Sequence, residues 1–264
     1  MDDARVTALY RYPVKGFSPE PLDRAEIAAG GTMPHDRAYA IENGPSGFDP
    51  QAPCYRPKAR FLMLMRDERM ATFRTRFDAA SGTLRIFADG VLQAEGSLHT
   101  EEGRRDLEAW VAKTFRAELR GPPKILAAAN HSFSDKAAKV LHLINLASVQ
   151  ALEERLGREV DPLRFRPNIV IDGAPAFSEF GWKQRDIRLP QLRLEFESRT
   201  GRCAATNVDP STGRRDMDLP RALEALYGHA DFGIYLRAKR AGCIAVGDQV
   251  EALAPAQDIL PALK

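Results

Sequence analysis

Short apolar segments with alternating periodicity, separated by turn residues, most constrain the fold of this chain. Val6–Tyr12 alternates with the period of a half-buried strand and stops at Pro13. Ser81-Gly82 has the composition of a turn between two such segments. Many short strands predict a small barrel or sandwich. Further strands are predicted at Arg37–Glu42, Arg60–Arg66, Ala71–Phe77, Thr83–Ala88, Val140–Ile144, Asn168–Asp172, Gln191–Ser198, Phe232–Arg237, Cys243–Val246 and Gln249–Leu253.

Helical periodicity is confined to three segments, which predicts a β-rich α+β fold. The segments are Glu101–Phe115, Ser148–Leu156 and a helix that runs from an N-cap at Asp218 through Tyr227. Glycine follows the second and third segments directly, as is common at helix ends. A weak domain boundary is expected near Gly121-Pro122-Pro123, after the first helix.

The charge balance excludes a global attraction for nucleic acid or membranes. The chain has 38 basic and 36 acidic residues, a formal net charge of +2, so any anion site must be a local cluster. No segment is long and apolar enough to span a bilayer, and the N-terminus has neither signal-peptide nor transit-peptide character. We therefore expect no nucleic-acid or membrane partner.

Cysteine usage indicates a reducing compartment, and we expect a cytoplasmic location. The three cysteines, Cys54, Cys203 and Cys243, are too sparse and odd in number for a disulfide framework. No CxxC motif or Cys/His cluster supports a zinc site or an iron–sulfur cluster. Cys54 lies in a Pro-rich loop and Cys243 in an apolar strand, so neither is expected to be essential.

Two segments near the N-terminus place a cation beside turn residues. In Tyr12-Pro13-Val14-Lys15-Gly16, the lysine follows a strand-ending proline and could reach into a cleft to hold an anion. In Asp36-Arg37, the guanidinium could bind a phosphate or carboxylate. Taken alone, each segment is better explained by an ordinary solvated cation or surface pair.

Arg164-Phe165-Arg166-Pro167-Asn168 precedes an apolar strand. If the segment is extended, Arg164 and Arg166 lie on one side, and Pro167 favours that extended geometry for Arg166. Two guanidiniums and an amide at a rigid strand entrance suit a phosphate or pterin-like ligand. A structural arginine network explains the spacing equally well.

Cys203 stands beside Arg202 in Arg199-Thr200-Gly201-Arg202-Cys203. Positive neighbours favour the thiolate form of a cysteine, which is the form that attacks electrophiles or binds soft metals. The alternative is a small buried apolar residue, as most single cysteines are. The segment Asp209-Pro210-Ser211-Thr212-Gly213 that follows is a turn by its composition.

Together and in this order, these segments resemble the MOSC family with its N-terminal β-barrel region, the group of the mitochondrial amidoxime-reducing components and bacterial relatives of the YcbX type. The resemblance runs from about Val6 to Val250. The matching pieces are Tyr12-Pro13-Val14-Lys15-Gly16, Asp36-Arg37, Leu146-Ala147-Ser148-Val149, Arg164-Phe165-Arg166-Pro167-Asn168, Arg202-Cys203, Val208-Asp209-Pro210-Ser211-Thr212-Gly213 and Gly242-Cys243-Ile244-Ala245-Val246-Gly247-Asp248.

The resemblance implies a fold of two regions. Residues 1–120 would form the MOSC N-terminal β-barrel-like region with its connecting helix. Residues 121–264 would form the MOSC domain, a pyruvate-kinase-type β-barrel. The molybdenum cofactor would lie at the interface between the two regions.

The resemblance also implies the site. Cys203 would ligate molybdenum, and the dithiolene ligand of the metal would come from molybdopterin. Lys15, Arg37 and Arg166 would hold the phosphate and pterin, and Asn168 would add hydrogen bonds. The remaining expected cofactor-binding residues are Gly16, Ser148 in the loop Asn145–Ser148, Arg202 and Tyr235. Gly16 stands where relatives often carry serine, so one hydroxyl contact is missing.

The activity implied is molybdenum-dependent reduction of N-hydroxylated or N-oxygenated small molecules, by oxygen-atom removal at the metal. Electrons would come from a separate donor protein, because no ferredoxin-like extension follows the MOSC region. Two alternatives stay open: sulfur transfer through a Cys203 persulfide, and non-catalytic carriage of the cofactor. The physiological substrate, the donor and the oligomeric state do not follow from the sequence.

Overall fold

A mixed eight-stranded sheet organises the computed structural model, which describes residues 4–253. The fifteen strands within these residues confirm the predicted β-rich α+β class. They are β1 Arg5–Arg11, β2 Glu20–Leu22, β3 Arg24–Ile27, β4 Ala40–Glu42, β5 Phe73–Asp78, β6 Thr83–Ala88, β7 Val91–Ser97, β8 Lys124–Leu126, β9 Leu141–Asn145, β10 Ile169–Asp172, β11 Asp186–Arg188, β12 Arg193–Gly201, β13 Asp231–Arg240, β14 Gly242–Ala245 and β15 Glu251–Ala252.

The large sheet curls until its two ends meet. Its order is β15-β11-β12-β13-β9-β10-β1-β2, and within it only β9 and β10 pair in parallel. The residues just before β15 run along the free edge of β1, where Val6 N donates to Asp248 O at 2.9 Å and Val250 N donates to Ala4 O at 2.8 Å. These bonds close the sheet into a barrel-like ring, which removes most of its exposed edge.

The N-terminal strands therefore complete a sheet that is otherwise built from the second half of the chain. β1 pairs with β10 in the large sheet, and β3 pairs with β14 in a separate two-stranded sheet. The regions before and after residue 120 thus share one sheet, and the boundary at that residue stays a prediction. The interior of the ring is apolar, and each large side chain buried there contributes about 1.5–3 kcal/mol. It includes Val6, Leu9, Leu143, Ile171, Trp182, Leu194, Ile234 and Leu236.

A second core lies under a three-stranded sheet of β5, β6 and β7, covered by helix α1, Glu101–Thr114. Thr100 caps this helix by accepting from Gly103 N. Gly103 is required by the close approach of helix and strand, since a Cβ there would lie 2.3 Å from Ser97 N. The Phe73, Trp110 and Phe115 rings meet edge to face in this core.

Two further helices cover the outside of the large sheet: α2, Leu146–Leu156, and α3, Leu219–Tyr227. Both end at the predicted glycines, which adopt the left-handed conformation. Asp218 does occupy the N-cap position of α3, but its carboxylate accepts from Asn207 instead of capping. None of the three helices in the described part of the chain could cross a membrane.

Two predicted strands are wrong in whole or in part. Arg60–Arg66 forms no strand, because Asp67 draws the chain into a turn by accepting from Met63 N at 2.9 Å. Apolar side chains on both sides of this segment are buried, so its composition resembled a core strand. The strand predicted from Arg37 begins only at Ala40, because Arg37 has φ +51°.

Candidate functional site

A cleft of about 350 Å³ has a strongly basic lining. Among the residues that the structure describes, eight lysines and arginines line it against two carboxylates, Asp36 and Asp135. The whole chain is almost neutral by comparison. The cleft is therefore a local cluster of basic residues, the form that the sequence required of any anion site. Most of the predicted site residues line it: Lys15, Gly16, Arg37, Arg166, Asn168, Arg202, Cys203 and Tyr235.

Lys15 is buried at the floor of the cleft and binds a carboxylate. Its Nζ donates to Phe133 O at 2.8 Å and to Asp135. Lys58 approaches the same carboxylate at 3.7 Å. Burial alone would raise the pKa of Asp135, but the charges of Lys15 and Lys58 outweigh it and lower that pKa. Asp135 is therefore an ionised group that already satisfies two cations of the cleft.

Tyr12 lies between two guanidiniums. The Cζ of Arg37 is 4.7 Å from the centre of its ring, and that of Arg166 is 4.2 Å away. Arg37 is also paired with Asp36. This stacking fixes both planar groups on the cleft wall and keeps them available to a planar or anionic ligand.

Arg166 has unused hydrogen-bonding capacity. Its Nη1 donates to Phe17 O at 2.9 Å, whereas its buried Nη2 has no partner among the described residues. Burial lowers the pKa of Arg166 to about 10, so the group is still charged at neutral pH. A buried, charged donor without an acceptor is costly, and an anion in the cleft would satisfy it.

The extended geometry predicted for Arg164-Phe165-Arg166 is wrong. Pro162–Phe165 is a 3-10 helix, and Arg166 has φ +53° with its N–H bonded to Leu163 O. The turn sends the two guanidiniums apart. Arg164 donates to Asp209 at 3.1 Å and to Asp216 at 2.7 Å, so it belongs to a structural network.

Arg202 lines the cleft, but its guanidinium is directed into the protein. It donates to Phe232 O at 2.9 and 2.7 Å, to Phe165 O at 3.2 Å and to the Nε2 of His142. Burial lowers the pKa of Arg202 to about 10. Burial and Arg202 also hold the pKa of His142 well below its usual range, which leaves that imidazole neutral. Arg202 thus connects β13, β9 and the 3-10 helix Pro162–Phe165 to the residue next to Cys203.

Cys203 is half-buried at the end of β12 and adjoins a lysine. The Nζ of Lys58 lies 3.3 Å from its Sγ. Lys58, 145 residues away in the chain, is therefore a positive neighbour of Cys203 in addition to Arg202, which the sequence predicted. Cys54 is exposed and Cys243 is buried in β14.

Asn168, Tyr235 and Gly16 occupy different parts of the cleft. The Asn168 amide donates to Tyr10 O and Asp36, both at 3.1 Å, and accepts from the backbone of His142. Asn168 therefore fixes neighbouring strands. Burial raises the pKa of Tyr235, which stays protonated. Gly16 has φ +87°, and a Cβ there would meet the Met70 side chain at 2.6 Å, so serine would be crowded in this chain.

Ser148 is not brought to the cleft. It is buried in α2, where its hydroxyl donates to Glu179 at 2.9 Å and accepts from Phe177 N at 2.7 Å. The expected loop Asn145–Ser148 is the first turn of this helix, which Asn145 caps by accepting from Ala147 N. These polar groups satisfy one another inside the protein and face no ligand space.

Sequence reasoning missed Lys58, Asp135 and His142. His142 left a signal, since it is the one polar side chain within the apolar strand Val140–Ile144. Lys58 and Asp135 gave no such signal in the sequence. Each lies in an irregular loop, far along the chain from the residue that it contacts, Cys203 and Lys15 respectively.

Comparison with known proteins agrees with this arrangement. The family model for the MOSC N-terminal beta barrel domain matches residues 3–133, and the model for the MOSC domain matches residues 128–251. Mitochondrial amidoxime-reducing component 1 of Xenopus laevis is 35% identical over 125 residues, which cover 43% of this chain and 36% of the relative. Mitochondrial amidoxime reducing component 2 of Homo sapiens is 28% identical over 159 residues, 54% of this chain and 47% of the relative. The matches thus span about a third to a half of the length of these relatives.

Solved structures give weaker likenesses. The YUAD protein from Bacillus subtilis aligns with 94% of this chain and 93% of its own, with a TM-score of 0.41 and 13% identity. YiiM from Geobacillus stearothermophilus aligns with 46% of this chain and 55% of its own, with a TM-score of 0.35 and 19% identity. At these values neither likeness bears on the chemistry of the cleft.

Proposed function

This chain belongs to the MOSC family, and from that premise we propose that it binds the molybdenum cofactor in the basic cleft and reduces N-hydroxylated or N-oxygenated small molecules. The names of its relatives support the reaction class, since they are amidoxime-reducing components. Cys203 is proposed as the thiolate ligand of molybdenum, and Lys15, Arg37 and Arg166 as the residues that hold the cofactor's phosphate and pterin.

One observation carries the proposal: a soft ligand and an unsatisfied cation face the same cleft. The free thiol of Cys203 lines it, and so does Arg166, whose buried Nη2 has no partner within residues 4–253. Sulfur suits molybdenum, and a guanidinium fork suits a phosphate or a pterin edge. The residues present therefore fit the molybdenum cofactor.

The chemistry divides between cofactor and protein. When bound, the cofactor supplies the redox centre. The reaction consumes two electrons and two protons, and the N-hydroxyl oxygen leaves as water. The protein binds and orients: Tyr12 keeps Arg37 and Arg166 in place, and Arg202 with His142 fixes the loop that carries Cys203. We propose a separate protein as electron donor and, from the three free cysteines, a cytoplasmic location.

Sulfur transfer is the second candidate function. The Cys203 thiol is partly accessible and has an ammonium group 3.3 Å away, an arrangement that would also stabilise a persulfide anion. This function would need the thiol but no bound molybdenum, so metal content separates the two candidates.

Steady-state turnover tests the proposed activity. The protein would be produced in a host that makes the cofactor and assayed with benzamidoxime and a chemically reduced viologen dye as donor. We expect amidine formation in the parent and at least a ~100-fold lower rate in Cys203→Ala. Cys54→Ala is the matched control, because that thiol is exposed and outside the cleft. A molybdenum-loaded parent without activity would favour cofactor carriage.

A further inference from the structure

We propose that the mouth of the cleft above Cys203 is a binding subsite for an acidic group, so that the substrate is an organic anion such as a carboxylate-bearing N-hydroxylated compound. This inference rests on the proposed function for its reaction, but it concerns a different set of cations. It assigns Lys58, Lys136 and Arg199 to substrate selection.

The outer cations are distinct from those proposed to hold the cofactor. Lys15, Arg37 and Arg166 are buried or half-buried and engaged with Asp135, Asp36 and Phe17 O respectively. Lys136 and Arg199 also line the cleft, yet within residues 4–253 neither has a carboxylate within ion-pairing distance. Lys15 and Arg37 are thus neutralised by carboxylates, whereas the positive charge of Lys136 and Arg199 is not.

Aromatic rings hold the two unpaired cations in position. The Cζ of Arg199 lies 4.3 Å from the centre of the Phe180 ring, and the Nζ of Lys136 lies 5.5 Å from that of Tyr235. Such contacts orient a cation without neutralising its charge. They distinguish these two groups from freely moving surface cations.

Lys58 places the third cation beside the reacting position. Its Nζ is 3.3 Å from the Cys203 sulfur, and its side chain is 30% exposed. Of the two carboxylates that line the cleft in the described part of the chain, Asp135 is the one beside Lys58, and Lys15 already binds it.

The electrostatic consequence is selection by charge. A cleft lined by one sign of charge focuses the field and raises the local concentration of the opposite charge by about 10-fold or more. Neutral amidoximes gain nothing from this field, whereas a carboxylate on the substrate would be drawn toward Lys58, Lys136 and Arg199. The effect should weaken with salt, because the screening length falls to ~3 Å at 1 M.

Two alkylating agents that react with thiols by the same mechanism but differ in charge test the subsite in protein that contains no cofactor. Iodoacetate is anionic and iodoacetamide is neutral, and both alkylate thiols. The ratio of their rate constants at Cys203 cancels the fraction of thiolate, because both are measured at one pH. Peptide mass spectrometry gives the same ratio for exposed Cys54 in the same sample, which serves as the internal reference.

We expect the iodoacetate-to-iodoacetamide ratio to be at least ~5-fold higher at Cys203 than at Cys54 at low salt, and to fall toward the Cys54 value at 1 M salt. Arg199→Gln with Lys136→Gln should remove most of this preference. The control Arg237→Gln with Lys239→Gln removes the same charge from β13, where both cations are paired with carboxylates, and should leave the preference intact.

Two results would overturn the proposal. One is an equal ratio at Cys203 and Cys54. The other is a preference that survives Arg199→Gln with Lys136→Gln but is lost in Lys15→Gln, because it would locate the attraction at the inner cations.

The loaded enzyme gives a second, separable measurement. We expect kcat/KM for 4-carboxybenzamidoxime to exceed that for benzamidoxime, with the difference lost in Arg199→Gln with Lys136→Gln. Equal values for the two substrates would contradict the subsite while leaving the proposed reduction intact. Inactivity with both would contradict the proposed function alone, and the alkylation ratio would still decide the subsite.

Discussion

Arg202 shows how one residue can be recognised by sequence and still be assigned a different task by structure. Its place beside Cys203 suggested a direct electrostatic role, but its guanidinium satisfies Phe232 O, Phe165 O and His142. We predict that Arg202→Lys destabilises the protein by about 3 kcal/mol, because an ammonium cannot satisfy these diverging acceptors. Urea unfolding measures this. A stability change below ~0.5 kcal/mol would contradict the structural role.

For Arg166 we expect the opposite: a substitution should affect ligand binding more than stability. Its buried Nη2 lacks a partner among the described residues, so Arg166→Gln should cost little stability while it removes a charged donor proposed to hold the cofactor. We predict at least a ~10-fold loss of affinity for the phosphorylated pterin, equivalent to ~1.4 kcal/mol. Fluorescence of pterin retained after gel filtration reports this loss. Retention equal to the parent would remove Arg166 from the binding set.

Residue types and their order predicted Lys15, Arg37, Arg166 and Cys203 as a group, and these residues do line one cleft. The contacts between them could not be predicted, because they are long-range. Lys58 reaches Cys203 across 145 positions, and Asp135 reaches Lys15 across 120. Ser148 was misplaced because its hydroxyl is taken up by a carboxylate and a backbone amide about 30 residues further along the chain, neither of which lines the cleft.

At the level of elements, periodicity predicted the secondary structure correctly where one face of a segment is buried. It gave the wrong prediction where both faces are buried. β5 and β12 have largely alternating burial, and their predicted ends lie within three residues of the observed ones. The segment Phe61–Leu64 is buried throughout and has no period that separates a strand from a turn. The strands β2, β8 and β11, of three residues each, are too short to show any period.

The turn Asp209–Gly213 lies a few residues after Cys203 and is tied to Arg164 by Asp209, and its stability should depend on pH. Burial raises the pKa of Asp209, but hydrogen bonds from Ser211 and Thr212 outweigh it and lower that pKa to about 2, from an ordinary 3.8. A carboxyl whose folded-state pKa is lowered stabilises the fold above the unfolded value. That contribution is lost as pH falls through about 2.

We therefore predict that Asp209→Asn lowers the free energy of unfolding by about 1–2 kcal/mol at pH 7 and by much less near pH 2. The loss includes the ion pair with Arg164, because a neutral amide at this position carries no charge to pair with the guanidinium. Urea titrations between pH 2 and 7 measure it. A difference from the parent that is independent of pH would contradict an ionised, stabilising Asp209.

At the scale of the whole molecule, the basic cleft needs residues from both regions of the chain, before and after residue 120. Lys15 and Arg37 come from the first part of the chain, and Arg166 and Cys203 come from the second. β1 crosses into the large sheet, and residues 247–250 bond back to it, so neither part completes the cleft by itself. Local patterns predicted the β-rich class, whereas this closure depends on pairings between distant strands that no local pattern contains.

The central claim is that this cleft binds the molybdenum cofactor through Cys203. Elemental analysis together with pterin determination, on protein from a host that makes the cofactor, tests it most directly. We predict roughly one molybdenum and one phosphorylated pterin per parent chain. Cys203→Ala should remain folded and keep much of the pterin, because Lys15, Arg37 and Arg166 are unchanged. It should also lose the N-hydroxyl reduction. A folded parent chain that contains neither molybdenum nor pterin would contradict the claim.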